Sequence, residues 1–495
     1  MLEALLMISA TQIYNYVQCP HRVSLDVFGN PAERDEPNAF VELLWEQGIT
    51  HENAIVATLG ITANLKEISL AEREQATLAA ISRNEKLIYG GRLTSGDLVG
   101  EPDLLELRGD KYIPCDIKSG SGFDGDESDG KLKKHYAVQL AHYVQILEQL
   151  GLSDGSREAF VIDRAGERVS YCLMEPKGTS SPETWWDTYQ VALAEVRAIV
   201  LQTQQTIGAL SSICKLCHWY SHCKQELIAN DDLTLIAELG RSKRDVMIQT
   251  IPTVKAFAAS NPITYFNGKK TTFPRIGQDS LIKFHTRATL LSTPGATAYL
   301  TGMVNLPVSA NEVYFDIEAD PMRDIVYLHG FVERVHGQSA TAKFISFFAD
   351  GTDPAEEEAV FRQAWSYLSL RVQDSTVYYY SKYERTAYRK LAEKYSWVCS
   401  VADIDALFAL PAMVDLYFDV VKKHTEWPTY DQSIKTLAQH LGFNWRDTNP
   451  SGAASIEWYH RWIETNDSAI KQRILDYNED DCLATGVVVD GIKSL

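Results

Sequence analysis

The stretch VYFDIEADP, residues 313–321, indicates how the second half of the chain folds. It is a β-type run that carries Asp316 and Glu318 two residues apart, so both carboxylates leave the same face of one strand. Carboxylates gathered on one face can hold divalent metals for phosphodiester hydrolysis, and we call this predicted position the second site. An α/β pattern begins here, with strands predicted at 311–318, 325–333, 341–348 and 376–380 and helices to the end.

A related stretch, YIPCDIKSG at residues 112–120, places Asp116 and Lys118 on one strand face. Asp103, in GEPDLLEL, lies one predicted strand earlier, and an antiparallel pair of strands would bring it close to Asp116. Two carboxylates can hold Mg²⁺ or Mn²⁺, while the lysine orients or activates the attacking water and offsets phosphate charge. We call this predicted position the first site. The chain therefore predicts two nuclease sites in one polypeptide.

The composition limits the class of protein. A chain of 495 residues predicts two or three domains, and a formal net charge of −19 argues against a basic surface for bulk DNA binding. Carboxylate metal sites need only a basic groove beside them, so nucleic acid remains a candidate partner. The start of the chain lacks the features of a signal peptide, and no run approaches the ~20 apolar residues of a membrane span. We expect a soluble cytoplasmic protein without a membrane partner.

The chain divides into three predicted parts: an α/β domain at 1–228, a mainly helical connector at 229–308 and a second α/β domain at 309–495. The first part is predicted to contain strands near 87–90, 97–107 and 111–117 and a helix from about 135 to 150. Arg241, Lys243 and Arg244 form a small basic cluster in the connector, interpreted as a solvated face. No phosphate-binding loop of an ATP motor occurs in the sequence, so unwinding of DNA would need a separate helicase.

Three further residues accompany the acids and the lysine of the first site. His51 lies early on a predicted helix, and Gln139 and Tyr143, in QLAHY, lie one helical turn apart. The order His, Asp, Asp-x-Lys, Gln-x-x-x-Tyr resembles the RecB-like branch of the PD-(D/E)XK nucleases, over about the first 225 residues. The resemblance implies a restriction-endonuclease-like fold in which Asp103, Asp116 and His51 bind the metal. It also implies that the lysine positions water and that the glutamine and tyrosine support the site or the DNA.

Cysteines bracket this predicted domain, three of them within ICKLCHWYSHCK at 213–224. The full set is Cys19, Cys214, Cys217 and Cys223. In a cytosolic chain such spacing indicates a metal more often than a disulfide, and four thiolates can hold an iron–sulfur cluster or Zn²⁺. One cysteine separated from three is similar to RecB-like nucleases with a [4Fe–4S] cluster, including the AddB type and those of CRISPR adaptation. The resemblance implies this cluster, and Zn²⁺ bound with His218 or His222 is the alternative.

The motif ILDYNEDDCLAT near the C-terminus carries Tyr477 and Asp481 one helical turn apart. Asp-x-Glu on a first strand with Tyr-x-x-x-Asp on a late helix resembles the DEDDy exonucleases of the RNase H-like superfamily, over roughly 310–495. The resemblance implies a DnaQ-type 3′–5′ exonuclease domain with four acids around two metals and a tyrosine that orients water. Glu384 supplies the fourth acid where that family usually has aspartate, and Asp415 is the less favoured substitute.

Together these patterns predict a metal-dependent DNA nuclease that acts on single-stranded DNA or DNA ends in repair, recombination or defence. Two alternatives remain. The first is an RNA-processing exonuclease, because DEDD domains cut RNA as readily as DNA. The second is a nucleic-acid-binding scaffold in which one or both nuclease sites are inactive.

Overall fold

The computed structural model describes residues 7–125, 130–178, 181–448 and 450–495. The fold is mixed α/β and divides into two compact units. Unit 1 comprises Met1–Gly208 and Ser212–Gln225, and unit 2 comprises Ala209–Ser211 and Glu226–Leu495. The segment 229–308, predicted to be a connector, lies within unit 2 together with the C-terminal part.

Unit 1 is built on a mixed sheet. Its strands are β1 (Ile8–Ser9), β2 (Ala63–Asn64), β3 (Leu87–Tyr89), β4 (Leu93–Ser95), β5 (Leu98–Gly100), β6 (Leu104–Arg108), β7 (Lys111–Ile117), β8 (Glu158–Ile162), β9 (Arg168–Cys172), β10 (Pro176–Gly178) and β11 (Ser181–Thr184). Its helices are α1 (Ala10–Gln18), α2 (Pro20–Phe28), α3 (Ala39–Thr58), α4 (Leu70–Ser82), α5 (Lys134–Gln149), α6 (Trp185–Val200) and α7 (Tyr220–Ala229), the last of which continues into unit 2. The main sheet has the order β2-β3-β6-β7-β8-β9.

Strand β7 shows how the sequence pattern places the first site. Alternate residues of a strand face opposite sides of a sheet. Ile113 and Cys115 pack into the cluster that includes residues of α3, whereas Tyr112 belongs to the core beside α5. Asp116 is four residues after Tyr112, an even number, so its side chain leaves the sheet on the same side as that of Tyr112, towards α5. Helix α5 connects the parallel strands β7 and β8 and packs against β7, and Lys118, directly after β7, donates to Gln139 on α5.

Unit 2 begins with the helical segment and continues into a second sheet. Its helices are α8 (Gly240–Met247), α9 (Val254–Ala259), α10 (Gln278–Ser292), α11 (Pro354–Arg371), α12 (Tyr383–Lys394), α13 (Val401–Phe408), α14 (Lys422–His424), α15 (Ile434–His440), α16 (Gly452–Thr465) and α17 (Ser468–Ser494). Its strands are β12 (Phe266–Asn267), β13 (Lys270–Thr271), β14 (Tyr299–Leu300), β15 (Asn311–Asp320), β16 (Ile325–Val335), β17 (Lys343–Phe348), β18 (Ser375–Tyr379), β19 (Met413–Asp415) and β20 (Thr425–Glu426). The main sheet has the order β17-β16-β15-β18-β19, in which β15, β18 and β19 are parallel and β16 is antiparallel to both neighbours.

Strand β15 separates two hydrophobic cores. Val313, Phe315 and Ile317 face the core that includes α11, α12 and α13. Tyr314 faces the opposite core, to which α16 and α17 contribute. By the same alternation Asp316 and Glu318 leave β15 on the side of α17.

The helical segment of unit 2 packs against the C-terminal sheet domain through a buried arginine. Arg287 on α10 is 2% exposed, and its Nε donates to Glu426 on β20 at 2.7 Å. Strand β14 also pairs with β20. The interpretation of the basic cluster on α8 as a solvated face is wrong for Arg244, because this side chain is buried and pairs with Asp232 at 2.7 Å.

Among the described helices, none combines the length and the apolar character needed to cross a membrane.

Candidate active sites

The second site lies at the carboxyl end of β15, on the side of α17. The parallel pairing of β15 with β18 ends at Tyr314, so the acids at 316 and 318 lie beyond the part of β15 that pairs with β18. The register between β15 and β16 shifts after Glu318, and such bulges are common next to active sites because they re-aim side chains. The carboxyl ends of parallel strands form the crevice in which open α/β sheets bind ligands.

Three carboxylates converge at this position. Asp316, Glu318 and Asp481 each offer an oxygen, and these oxygens lie within 4.8 Å of one another. Within the described part of the chain, no other group of three or more histidines, cysteines or acids meets this distance. Burial, followed by the charges of neighbouring acids, raises the pKa of Asp316 and that of Glu318 well above their ordinary values. A hard divalent cation such as Mg²⁺ or Mn²⁺, which prefers oxygen ligands, fits this set of donors.

Asp481 is held by two side chains that the sequence reasoning missed. Lys435 on α15 lies with its Nζ 2.8 Å and 3.2 Å from the two carboxylate oxygens, and Trp445 Nε1 donates to Oδ1 at 2.6 Å. The same Nζ donates to the hydroxyl of Tyr477 at 3.1 Å. The predicted pair of Tyr477 and Asp481 is thus joined through one ammonium group. The lysine also opposes the upward pKa shift of Asp316.

Each acid of β15 has a polar side chain beside it. Asn478 Nδ2 donates to Asp316 Oδ2 at 2.7 Å. Ser455 on α16 opposes the upward pKa shift that burial gives Glu318, and its hydroxyl lies 2.7 Å from that of Tyr327. Such partners orient the acids before any ligand binds.

Glu384, the predicted fourth acid, lies in the first turn of α12, which follows β18. It is 3% exposed, and its Oε2 has no hydrogen-bond partner among the residues that the structure describes. It lies outside the group of three acids defined by the 4.8 Å distance. Burial, followed by the charge of Asp316, raises its pKa well above the ordinary value, so the two groups interact. Asp415 instead accepts the backbone N–H of Phe418 at 2.8 Å, which assigns its carboxylate to a helical cap.

The first site in unit 1 is a network of hydrogen bonds and one ion pair. Ile117 N donates to Asp103 Oδ2 at 2.8 Å, and Asp103 N donates to Asp116 Oδ1 at 3.4 Å, so the two aspartates lie side by side. Lys118 Nζ lies 2.9 Å from Asp116 Oδ2.

The same ammonium joins the aspartates to helix α5. Lys118 Nζ donates to Gln139 Oε1 at 3.1 Å, and Gln139 Nε2 donates to Tyr143 Oη at 3.2 Å. The structure therefore brings together five of the six residues proposed for the first site. Burial alone would lower the pKa of Lys118, but the charges of Asp116 and Asp103 outweigh it and raise that pKa.

The sixth residue, His51, lies on α3. Its Nε2 donates to the carbonyl oxygen of Asp163 at 3.0 Å, and its role as a metal ligand stays a prediction. The neighbouring Glu52 accepts from Tyr89 Oη at 2.8 Å, and its charge acts on Asp103. Burial, followed by the charge of Asp116, raises the pKa of Asp103 to about 7, and the charge of Glu52 contributes to this rise. Glu52 is thus an acid of this region that sequence reasoning missed, although it adjoins His51 in the chain.

The predicted cluster cysteines all lie in unit 1. Cys19 separates α1 from α2, Cys214 and Cys217 share one turn, and Cys223 lies on α7. Burial raises the pKa of Cys217, and the neighbouring Cys19 and Cys214 thiols add to the shift. At least three of the predicted thiols therefore lie near enough to interact.

The two histidines of the alternative zinc site have carboxylate partners. His218 Nε2 lies 2.7 Å from Asp26 Oδ1, and His222 Nδ1 lies 3.1 Å from Glu33 Oε2. Asp26 also accepts from the indole of Trp219 at 2.9 Å, which ties the cysteine-bearing segment to α2.

Comparison with known proteins covers part of the chain. No curated protein matches it. Residues 313–492 match the family model of the RNase_H superfamily, and this range contains most of β15, most of α17 and all of the second-site acids. The predicted fold of the C-terminal part is confirmed in this respect: the C-terminal part of the chain is an RNase H-like domain.

Proposed function

We propose that this protein is a metal-dependent nuclease whose RNase H-like domain hydrolyses phosphodiester bonds at the second site. The observation that carries the proposal is the convergence of Asp316, Glu318 and Asp481 within 4.8 Å at the end of β15. RNase H-like proteins generally hydrolyse nucleic acids, and the match covers all three acids. Bound Mg²⁺ or Mn²⁺ would supply a Lewis acid for the phosphate and lower the pKa of water.

The residues around the acids have distinct roles in this proposal. Asp316, Glu318 and Asp481 hold the metal, and Glu384 is the fourth acid, brought in from α12. The Tyr477 hydroxyl, which Lys435 contacts at 3.1 Å, orients the attacking water. Burial of the site excludes bulk water and strengthens the interaction of these fixed charges with a phosphate.

We further propose that the first site is a second nuclease centre of the PD-(D/E)XK type. Its support is the path of hydrogen bonds and one ion pair from Asp103 through Lys118 to Tyr143. In this proposal Asp103, Asp116 and His51 bind the metal, Lys118 positions water, and Gln139 holds the lysine.

The favoured substrate of the protein is single-stranded DNA or DNA ends, in repair, recombination or defence, with unwinding supplied by a separate helicase.

A degradation assay on end-labelled single-stranded DNA, double-stranded DNA and RNA with Mn²⁺ tests both proposals. We expect Asp316→Asn and Asp116→Asn each to lower one activity by about a thousandfold, and the double variant to lower both. Asp324→Asn, at a carboxylate 74% exposed in the RNase H-like domain, is the matched control and should cut normally.

The outcomes separate the alternatives. Wild-type protein that cuts nothing, or a double variant that cuts as well as wild type, would overturn the nuclease proposal and favour a scaffold. Degradation of RNA but not DNA of the same sequence would overturn the DNA assignment.

We also propose that Cys19, Cys214, Cys217 and Cys223 bind a [4Fe–4S] cluster. The support for this set of ligands is that Cys214 and Cys217 share one turn and Cys223 follows on α7, within the same unit as Cys19. Such a cluster would join the two ends of unit 1 and stabilise its fold.

Anaerobic purification tests the cluster. Brown protein with broad absorbance near about 400 nm, and loss of iron in Cys217→Ser but not in the buried control Cys399→Ser, is the expected result. Colourless protein that contains zinc would contradict it.

A further inference from the structure

Asn478 reaches Asp316 across a glycine on the neighbouring strand. Gly330 on β16 is the register partner of Asp316 on β15. Asn478 projects from α17 over this position, and its Nδ2 donates to Asp316 Oδ2 at 2.7 Å. A Cβ atom on Gly330 would lie 1.6 Å from Asn478 Oδ1, far inside contact distance. The hydrogen bond between helix and strand therefore requires a residue without a side chain at position 330.

The burial of Asn478 indicates that packing alone does not explain why an asparagine stands at this position. The side chain is fully buried, and its Oδ1 has no hydrogen-bond partner within the described chain. A buried amide oxygen left without a partner costs about 1–3 kcal/mol, which an apolar residue of similar size would avoid. The orientation of the amide follows from the contact, because the reverse orientation would set its oxygen against the carboxylate oxygen.

The hydrogen bond from Asn478 orients Asp316, the acid that lies among the other carboxylates of the site. Asp316 lies among Glu318, Asp481 and Glu384, whose charges repel its own. Free rotation would let its carboxylate turn away from the other acids. One N–H donor fixes Oδ2 and so also fixes the direction of the second oxygen.

We propose that Asn478 is a positioning residue for the metal site, and that a glycine at position 330 leaves the space that the Asn478 side chain occupies. The pair holds Asp316 in the rotamer in which the three carboxylates converge, so the site is organised before a metal binds. This inference rests on the proposed function of the second site and identifies two residues that act through Asp316.

The test is a double-mutant cycle read out by Mn²⁺ affinity, measured by calorimetric titration of the full chain. All variants carry Asp116→Asn, which isolates the second site. We expect Asn478→Ala to weaken Mn²⁺ binding by about 10- to 100-fold. Gly330→Ala should weaken it similarly, because the new methyl group displaces the amide. The double variant should bind Mn²⁺ no more weakly than either single variant, because both changes remove the same contact.

Stability gives a second measurement on the same cycle. The methyl group of Gly330→Ala clashes with Asn478, so removing the amide should restore part of the lost melting temperature. Some loss should remain, because the added methyl carbon would also lie 3.1 Å from Cε2 of Phe344. Asn444→Ala, at an exposed amide outside the site, is the matched control and should leave both measurements unchanged.

Each outcome decides the proposal. Mn²⁺ affinity that is unchanged in Asn478→Ala, or losses that add in the double variant, would overturn it, as would the absence of Mn²⁺ binding in the parent protein. If Gly330→Ala fails to fold, the Asn478→Ala affinity alone decides. If the expected cycle is found in a protein that cuts no nucleic acid, the positioning role stands and only the proposed nuclease function fails.

Discussion

The two sites use the same elements in different ways. Each combines acids on a strand with a lysine ammonium less than 3 Å from a carboxylate, namely Lys118 with Asp116 at 2.9 Å and Lys435 with Asp481 at 2.8 Å. In the first site the lysine follows its aspartate by two residues, directly after the end of β7. In the second site it comes from α15, a helix distant in sequence from β15. A local motif can therefore reveal the first arrangement, whereas only the folded chain reveals the second.

The balance of charge also differs. In the first site one lysine faces two aspartates and passes a hydrogen bond on to Gln139. In the second site one lysine faces three converging acids, with a buried glutamate nearby. The second site thus carries more uncompensated negative charge, so a bound cation should stabilise it more strongly.

The largest expected effect comes from the lysine of the first site. In an Asp316→Asn background, Lys118→Met should lower the cleavage rate by about 100- to 1000-fold, because it removes the charge that faces the phosphate and the water. The rate of DNA degradation with Mn²⁺ measures this effect. Lys111→Met, at a lysine on β7 whose described contact is with a backbone carbonyl, should retain full activity. Equal activity in the two variants would show that the first site does not use its lysine.

Alternation along the chain predicted residues whose placement is local, and the ordered motifs of the family resemblance predicted Gln139, Tyr143, Tyr477 and Asp481 on distant helices. Period-two alternation predicted β7 and β15 and the shared face of each pair of acids. One strand was expected at 97–107, but β5 and β6 are separate, because Pro102 between them has no N–H to donate to a ladder.

Two residues that act through tertiary contacts in the second site were missed. Lys435 lies in an ordinary helical segment, and nothing in its neighbourhood indicates that it reaches Asp481. Asn478 stands inside the motif YNEDD, yet its contact with Asp316 depends on a glycine in another strand. Contacts of this kind are decided by the packing of α15 and α17 on the sheet, which no spacing rule contains.

An intermediate effect is expected from the lysine of the second site. In an Asp116→Asn background, Lys435→Met should tighten Mn²⁺ binding by about tenfold, or about 1.4 kcal/mol, because the metal no longer competes with an ammonium for Asp481. The metal-free protein should melt at a lower temperature, since its acids lose their counter-charge. Calorimetric titration and thermal melting measure the two effects. Lys423→Met, at an ion pair 58% exposed on both sides, should change neither. Weaker Mn²⁺ binding would instead show that the lysine helps to build the metal site.

The smallest effect tests whether Glu384 adds to the excess charge of the second site. Folding raises its pKa, so its protonated form is favoured in the native state. The stability that it contributes is fully present below its ordinary pKa of 4.5 and is lost as the pH rises above that value. Glu384→Gln has no charge to develop. In chelator, the variant should therefore match wild type near about pH 4 and exceed it by about 1–3 kcal/mol near about pH 8.

Thermal unfolding across this pH range measures the difference, and Glu393→Gln on the same helix is the control. Glu384→Gln that is less stable than wild type at high pH would mean that the glutamate is charged and paired in the native protein. In that case the second site would resemble the first, in which Asp116 pairs with Lys118 at 2.9 Å. If the gap instead grows with pH as expected, the glutamate belongs to the set of acids that a cation would balance, despite its position outside the 4.8 Å group.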